Sequence, residues 1–274
     1  MPEIIRPLQI SHPPRVAVID FDGTLSLIRS GWVEIMVDMM FEFMRPLAGS
    51  TESDADLTAF ISDFVLNLNG RPTIFQMDHF VNVARARGGQ PQSPEYYTQQ
   101  FLIALNAKAA SRIAKLEAGS VATDDLLIPG ARAFLTDLRD NGVQMTLASG
   151  TAVIDVRREA ALLDIAHFFE GRIYGPGVDS REFSKMKIMK QTLSDAGAVG
   201  SELLGLGDGF VEIENAKELG GIAIGCATDE THRSGKVEDW KRTRLIQAGA
   251  DVIVPDYANW NRLSPLLFAG SASA

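Results

Sequence analysis

The feature that most constrains the fold of this chain is a short apolar run that ends in two carboxylates. Residues 16–19, Val-Ala-Val-Ile, are followed by Asp20, Phe21, Asp22, Gly23 and Thr24. An unbroken apolar strand is typical of a parallel sheet buried on both faces. Such sheets keep their active sites at the carboxyl ends of the strands. Because burying an unpartnered carboxylate is costly, two acids at one strand end call for a cation, a transferable proton, or both.

The same residues admit a plainer interpretation, because Asp22, Gly23 and Thr24 alone make an ordinary turn. The apolar strand before them, together with Asp20, favours a functional interpretation. Asp20 is then the candidate nucleophile, and Asp22 is the candidate general acid and base. The choice between a turn and a functional site depends on whether partner residues occur further along the chain.

Composition limits the classes of partner. The 274 residues, 46% hydrophobic and 22% charged, suit one large or two modest globular domains with a substantial core. A net charge of −9 argues against binding to nucleic acid or to an anionic membrane. No apolar run approaches the roughly 18 residues of a membrane span. Residues 1–14 lack the layout of a signal peptide, so we expect a cytoplasmic protein.

Two common kinds of active site are not expected. The single cysteine, Cys226, follows a strand-like run, which favours a packed thiol over a nucleophile. The four histidines show no zinc-binding spacing, which argues against a zinc enzyme.

From residue 128 onward, short apolar runs alternate with helical patterns, which indicates repeated βα units and a parallel sheet. The predicted strands are 143–148, 171–174, 202–206, 221–225 and 252–254. The predicted helices are 131–140, 152–163, 185–196, 210–219, 237–249 and 260–268. A Gly/Pro loop is predicted at 175–178.

Residues 30–125 have a different pattern, with apolar positions at three-to-four spacing and no strand-like runs. The predicted helices there are 32–44, 53–68, 74–87 and 94–117. The methionines and phenylalanines of the first segment are expected to form the core of a helix bundle. The bundle interrupts the α/β domain after its first strand.

Polar residues follow several of the predicted strands. Ser149 and the free N–H groups at the following helix start can hold phosphate oxygens. Lys185 supplies a positive charge, although Lys187 remains an alternative. Asp208, with Asp20 and the backbone carbonyl of Asp22, offers hard oxygen ligands for Mg²⁺.

Together these residues resemble the haloacid dehalogenase superfamily of phosphotransferases. Residues 20–24 resemble its first motif, Ser149 its second, Lys185 its third, and Gly207-Asp208 with Glu212 its fourth. The resemblance covers residues 15–25 and about 126–255. It implies an α/β fold: a Rossmann-like three-layer parallel-sheet core over 1–28 and 124–274, with an inserted all-helical cap domain over 29–123. The family usually has Asp where Glu212 stands, so we expect Glu212 to act through water or through Lys185.

The resemblance implies a Mg²⁺-dependent phosphatase that acts on a small-molecule phosphate monoester. A sugar phosphate or a phosphoglycolate-like acid is expected, hydrolysed through an aspartyl-phosphate on Asp20. Asp22 favours ester hydrolysis, since members that cleave carbon–halogen or carbon–phosphorus bonds usually lack an acid there. A phosphomutase is the alternative. A non-catalytic module phosphorylated on an aspartate is a third hypothesis, but it needs neither Asp22 nor a cap.

The remaining candidates concern ligand binding. The candidate metal ligands are Asp20, Asp22 and Asp208, and the candidate substrate-binding residues are Ser149, Gly150, Thr24 and Arg29. Arg29 leads into the helical insertion, where it either reaches a polar part of the substrate or lies at the surface. Candidates for a specificity segment, each otherwise explained by surface position or bundle packing, are Arg71, Gln76 and His79. The sequence leaves open whether the chain is a monomer or a homodimer.

Overall fold

The computed structural model of the chain describes residues 1–8, 10–49, 51–68, 71–177 and 183–268. It divides into two units, one formed by Met1–Ser30 with Ile113–Ala274 and the other by Gly31–Arg112. The sequence placed the boundaries after residues 28 and 123, whereas the structure places them after residues 30 and 112. The second unit is helical, and its function as a cap domain stays a prediction.

The helical unit is held together by an apolar core drawn from all of its helices. These are α1 (Trp32–Met44), α2 (Asp54–Asn67), α3 (Thr73–Ala86) and α4 (Pro94–Glu117), the last of which ends in the other unit. Met36, Met40 and Met44 lie four residues apart and therefore on one face of α1, where all three are buried. They belong to the same core cluster as Phe80 and Phe101. The methionines of α1 are thus core residues.

The three candidate specificity residues lie in or beside α3. Gln76 is buried and donates a hydrogen bond from Nε2 to the backbone oxygen of Val65 at 2.9 Å. His79 is exposed and lies against the ring of Phe64, with 4.9 Å between ring centroids. Arg71 is exposed as well. Gln76 is therefore engaged in packing within the bundle.

The other unit is built on a sheet that is parallel except at one edge. Its strands are β1 (Glu3–Ile4), β2 (Val16–Ile19), β3 (Gln144–Ala148), β4 (Ile173–Tyr174), β5 (Leu203–Gly207), β6 (Ile222–Cys226) and β7 (Val252–Val254). Their order across the sheet is β1-β7-β6-β5-β2-β3-β4, and β1 pairs with β7 antiparallel. The predicted α/β class with a parallel sheet is confirmed. A two-residue strand such as β1 is too short to leave a sequence pattern, and it was not predicted.

Helices cover this sheet. They are α5 (Ala131–Asp140), α6 (Val153–Leu162), α7 (Lys185–Asp195), α8 (Phe210–Glu218), α9 (Asp239–Ala248) and α10 (Ser264–Phe268). Val16 and Val18 of β2 pack with Met189 of α7 on one face. Because successive strand side chains point to opposite faces, the equally buried Ala17 and Ile19 require cover on the other face. The sheet that contains β2 is thus the middle of three layers.

Two predicted helices differ from the structure for local reasons. Helix α9 begins at Asp239 rather than at 237, because Val237 forms a bridge with Thr228 and the Glu238 N–H donates to the backbone oxygen of Ala227 at 2.8 Å. The last predicted helix, 260–268, is split into a 3-10 turn at Trp260–Arg262 and the helix α10. Pro265 has no backbone N–H to donate to the preceding turn, and proline is tolerated in the first turn of a helix, so it favours a new helix start there.

The predicted loop 175–178 has no regular structure over residues 175–177, and residue 178 lies outside the described residues. None of the helices in the described ranges combines the length and the apolar character that a membrane span requires.

Candidate active site

Three neighbouring strands deliver the predicted polar residues to one edge of the sheet. In β2, Ile19 pairs with Leu147 of β3 on one side and with Leu206 of β5 on the other. The Asp20 N–H continues the ladder by donating to the backbone oxygen of Leu206 at 2.9 Å. Because the three strands are parallel and in register, the residues that follow them meet at the same edge.

Asp20 forms an ion pair with a lysine 165 positions away in the chain. Its Oδ1 lies 2.8 Å from Nζ of Lys185, and the same ammonium group contacts Oε1 of Glu212. Lys185 is the first residue of α7 and is buried, whereas Lys187 is exposed. The structure therefore places Lys185 rather than Lys187 beside Asp20, and it places Glu212 against Lys185.

The surroundings of Asp20 carry more negative than positive charge. Burial raises the pKa of Asp20 well above its ordinary value, Lys185 offsets part of that rise, and Glu212 and Asp208 raise the pKa further. Burial alone would lower the pKa of Lys185, but Asp20 and Glu212 raise it above its ordinary value. Lys185 is thus held as a cation, and Asp20 would be stabilised as an anion by additional positive charge.

Asp22 has a different environment, made of hydroxyl groups. Its Oδ2 accepts hydrogen bonds from Thr151 Oγ1 at 2.7 Å and from Ser149 Oγ at 3.2 Å. Its Oδ1 is buried and has no hydrogen-bond partner among the described residues. Burial raises the pKa of Asp22, an effect that Arg29 and the two hydroxyl groups partly offset. A carboxyl group whose pKa is raised in this way suits proton exchange.

Thr151 was not among the predicted site residues, although it directly follows Ser149 and Gly150 in the sequence. Its N–H also donates to Oγ of Ser149 at 3.0 Å, which holds the two hydroxyl-bearing residues together. Gly150 is exposed, and a Cβ atom added there would meet nothing within 4 Å. The backbone of this turn is therefore open to a ligand.

Two glycines permit the close packing of the site. Gly23 has φ +69°, and a Cβ atom there would lie 2.6 Å from Oδ2 of Asp208 and 2.9 Å from Oε1 of Glu230. A Cβ atom on Gly207 would lie 2.7 Å from Cγ of Glu212. A side chain at either position would displace a carboxylate, so both glycines are required by the geometry of the site.

A second buried lysine, absent from the prediction, lies at Asp208. Lys241 Nζ is 3.0 Å from Oδ2 of Asp208 and 2.6 Å from Oε1 of Glu230. Burial alone would lower the pKa of Lys241, but Glu230 and Asp208 raise it above its ordinary value. Glu230 lies in the loop four residues after the end of β6, and Lys241 lies within α9, so neither directly follows a strand in the way that Asp20 and Asp208 do.

Arg29 is engaged by a carboxylate. It is 6% exposed, and its Nη2 lies 2.6 Å from Oε1 of Glu159 and 3.5 Å from Oδ2 of Asp155. The surface position considered for Arg29 is therefore wrong. Burial raises the pKa of Glu159 to about 7, although Arg29 acts in the opposite direction. The substrate-binding role of Arg29 stays a prediction.

The last predicted residue of the first motif, Thr24, is fully buried. Its Oγ1 has no hydrogen-bond partner among the described residues, so no hydrogen bond joins it to Asp20 or Asp22. Cys226 is buried with Sγ 3.1 Å from Oη of Tyr257, and burial raises the pKa of its thiol to about 12. Such a thiol is unreactive near neutral pH.

The oxygen atoms of the site show whether it could hold a divalent cation. Among the described residues, no three His, Cys, Asp or Glu side chains group as a metal cluster. The predicted set needs only two side chains, Asp20 and Asp208, because its third ligand is the backbone oxygen of Asp22. Oδ1 of Asp20 accepts a hydrogen bond from Lys185, and Oδ2 of Asp208 accepts one from Lys241. The second carboxylate oxygen of each aspartate accepts no hydrogen bond from another described residue. Excess negative charge and free hard oxygen atoms fit a hard divalent cation.

A family model and solved structures match this chain. A family model described as haloacid dehalogenase-like hydrolase matches residues 14–220. No curated protein sequence matches the chain.

Solved structures match over almost the whole chain. A predicted phosphoglycolate phosphatase from Haemophilus somnus has a TM-score of 0.59 at 14% identity, covering 93% of this chain and 99% of its own. A HAD family hydrolase from Deinococcus radiodurans, with bound phosphate and sodium, has a TM-score of 0.56 at 14% identity, covering 93% and 96%. A putative beta-phosphoglucomutase from Bacteroides vulgatus has a TM-score of 0.55 at 14% identity, covering 95% and 91%. At these identities the likeness is one of fold.

Proposed function

The chain belongs to the haloacid dehalogenase-like hydrolase family, and from this premise we propose that it is a Mg²⁺-dependent phosphatase of small-molecule phosphate monoesters. The observation that carries the proposal is the pair of carboxylates in the first motif. Asp20 is ion-paired with Lys185, and Asp22 is hydrogen-bonded by Ser149 and Thr151. These contacts support the proposed roles of Asp20 as nucleophile and of Asp22 as proton donor and acceptor.

In the first half of the proposed reaction, a carboxylate oxygen of Asp20 attacks phosphorus in line with the ester oxygen. The bond from phosphorus to Asp20 forms as the ester P–O bond breaks. The departing alkoxide takes the proton of Asp22. Lys185 stabilises negative charge on the phosphoryl group, and the turn at Ser149 and Gly150, which is exposed at Gly150, binds the phosphoryl oxygens.

In the second half, Asp22 is ionised and accepts a proton from a water molecule. That water attacks the phosphorus atom of the aspartyl-phosphate, which releases inorganic phosphate and restores Asp20. Glu212 touches no substrate in this scheme. It holds the ammonium group of Lys185 against Asp20.

Asp20, Asp208 and the backbone oxygen of Asp22 would hold Mg²⁺. The bound ion supplies positive charge that neutralises the phosphoryl group and favours the ionised form of Asp20. Of the ligands predicted from the sequence, Asp22 takes part through its backbone and keeps its carboxyl group for proton transfer.

We propose that the helical unit acts as a cap that selects the substrate, with a sugar phosphate or a phosphoglycolate-like acid as the substrate class. Lids that exclude water during the reaction favour substrates small enough to be enclosed. Two fold relatives carry the names phosphoglycolate phosphatase and beta-phosphoglucomutase, which agree with these classes. A cytoplasmic location, and the lack of nucleic-acid or membrane partners, stay predictions from the sequence.

The alternative within the family is a phosphomutase, which would use the same residues but pass the phosphoryl group to a sugar. Incubation with a panel of phosphorylated metabolites and Mg²⁺, scored by inorganic phosphate release and by kcat/KM, separates the two. A phosphatase releases phosphate stoichiometrically, whereas a mutase yields an isomer and almost no phosphate.

The same assay tests the mechanism. We expect Asp20→Asn to abolish turnover with an unchanged circular dichroism spectrum, and EDTA to abolish it until Mg²⁺ is restored. Full phosphatase activity in the variant or in EDTA would contradict the proposal. An aspartate that accepts phosphate with no turnover in the unmodified chain would support the non-catalytic hypothesis instead.

A further inference from the structure

A second ion cluster mirrors the one at the nucleophile. At one end of the site Lys185 lies between Asp20 and Glu212. At the other end Lys241 lies between Asp208 and Glu230. The two carboxylates proposed as metal ligands, Asp20 and Asp208, thus each have an ammonium group on one oxygen, and each ammonium group is shared with a glutamate.

The loop after β6 delivers Glu230 to this position. It is closed by the bridge between Thr228 and Val237. Arg233, at φ +49°, donates from Nη1 to the backbone oxygen of Asp125 at 2.8 Å. The Asp229 side chain accepts from the N–H of His232 at 3.0 Å. These contacts hold the loop, so Glu230 is positioned by the fold rather than by its own side-chain freedom.

The second cluster also touches the first motif. Oδ2 of Asp208 and Oε1 of Glu230, the two atoms bonded to Lys241, are the atoms that a Cβ on Gly23 would meet at 2.6 and 2.9 Å. Gly23 directly follows Asp22, whose backbone oxygen is the third proposed ligand. Lys241 is 4% exposed, so its charge acts on these groups with little screening by solvent.

We propose that Lys241, held by Glu230, is a positioning residue that sets the affinity of the site for its divalent cation by occupying one oxygen of Asp208. The inference rests on the proposed function, because it needs a cation at Asp20 and Asp208. Lys241 orients the Asp208 carboxylate and opposes cation binding through its positive charge. Glu230 draws part of that charge away from Asp208.

This arrangement predicts opposite effects for the two partners. Lys241→Met removes a positive charge close to the cation, so Mg²⁺ should bind roughly tenfold or more tightly. Glu230→Gln leaves Lys241 paired with Asp208 alone, so Mg²⁺ should bind weaker by a similar factor. The double variant removes both charges and should bind Mg²⁺ with an affinity between those of the single variants, close to that of the unmodified chain.

The measurement is Mg²⁺ binding to the full, substrate-free chain by isothermal titration calorimetry, without reference to turnover. Lys217→Met serves as the matched control. Lys217 is paired with Asp251 at 2.8 Å, and Asp251 directly precedes β7, at the opposite edge of the sheet from the proposed cation. Its removal should leave the Mg²⁺ affinity unchanged. Thermal melts of each variant establish that it is folded, and the double variant covers the case in which Lys241→Met alone unfolds the chain.

Opposite shifts for Lys241→Met and Glu230→Gln support the inference. Equal affinities, or weaker binding in both, would mean that the pair is only structural, and would overturn it. If Lys241→Met does not fold, a double variant that still shows the weakened binding of Glu230→Gln overturns it as well. If the unmodified chain does not bind Mg²⁺ at all, this inference is overturned, and so is the Mg²⁺ dependence of the proposed function.

Discussion

At the scale of single residues, the two carboxylates of the first motif differ in what surrounds them. Asp20 faces the ammonium group of Lys185, which offsets part of the large rise in the Asp20 pKa that burial causes. Asp22 accepts hydrogen bonds from the hydroxyl groups of Ser149 and Thr151. Its burial raises its pKa, and the two hydroxyl groups offset part of that rise. The two aspartates are separated by one residue, and their different partners suit Asp20 to the proposed attack and Asp22 to the proposed proton transfer.

The role of Asp22 can be tested with leaving groups of different basicity. A raised pKa keeps the carboxyl group protonated to higher pH, and the rate with an alkyl phosphate should fall as pH rises through that pKa. Asp22→Asn should lower kcat/KM for alkyl phosphates by roughly 10²–10⁴-fold and remove this dependence. The loss with p-nitrophenyl phosphate should be much smaller, since nitrophenolate leaves without a proton. Equal losses for both esters would argue against proton donation by Asp22.

Gly23 is also important at the scale of single residues, because it packs directly against Asp208. An alanine there takes a left-handed conformation, at a cost of about 1–2 kcal/mol, and also drives a Cβ into Asp208. Gly142 has φ +76° with nothing within 4 Å of an added Cβ, so Gly142→Ala carries the backbone cost alone. We expect Gly23→Ala to lower stability more than Gly142→Ala and to abolish activity. Comparable melting temperatures and activities in the two variants would contradict the packing described for Gly23.

At the scale of elements, the start of helix α7 determines which of its lysines lies beside Asp20. It begins at Lys185 after Ser184, whose Oγ accepts a hydrogen bond from the N–H of Lys187 at 3.3 Å. Successive helical residues are about 100° apart, so Lys185 and Lys187 point in different directions. The first is buried beside Asp20 and the second is exposed.

The two lysines of α7 therefore form a matched pair of test positions. Lys185→Met should lower kcat/KM by roughly a hundredfold or more, because it removes a fixed positive charge from the phosphoryl site. Lys187→Met should change kcat/KM by no more than about twofold, as expected for an exposed residue. Steady-state kinetics on the best substrate of the metabolite panel measures both. A larger effect at Lys187 would show that the wrong lysine has been placed in the site.

At the scale of the whole molecule, the helical unit is an insertion into a sheet domain that is otherwise complete. The segments that leave and re-enter this domain lie side by side, since the Leu27 N–H donates to the backbone oxygen of Leu126 at 2.9 Å. Ser26 also forms a bridge with Leu127. A short linker can therefore replace the insertion without separating strands of the sheet.

Replacing residues 30–122 by a Gly/Ser linker of about eight residues tests the proposed cap. We expect the shortened chain to keep a cooperative thermal transition and its activity towards p-nitrophenyl phosphate. Activity towards the metabolite substrate should fall by roughly tenfold or more, because enclosure and substrate contacts are lost. The control is the full chain under identical conditions. Unchanged selectivity in the shortened chain would contradict the assignment of residues 31–112 as a cap.

Much of this molecule follows from local sequence pattern. The apolar runs and helical spacings predicted the strands and helices to within a few residues, as with helix α5 and strand β7, because these patterns record which faces each element buries. The first motif and Asp208 were identifiable because they follow buried strands directly. The strand ends of a parallel sheet share one edge, so their meeting could be predicted without coordinates.

Tertiary packing alone decided the side-chain contacts. Arg29 pairs with Glu159 across 130 positions, and Lys241 pairs with Asp208 across 33, yet neither pair lies on a periodic pattern or at two strand ends. Such contacts depend on how one element lies against another and on the path of a loop, which periodicity does not record. The apolar run and its two acids thus indicated a parallel sheet and the edge at which the candidate site lies, while packing decided which lysines and hydroxyl groups lie beside each carboxylate.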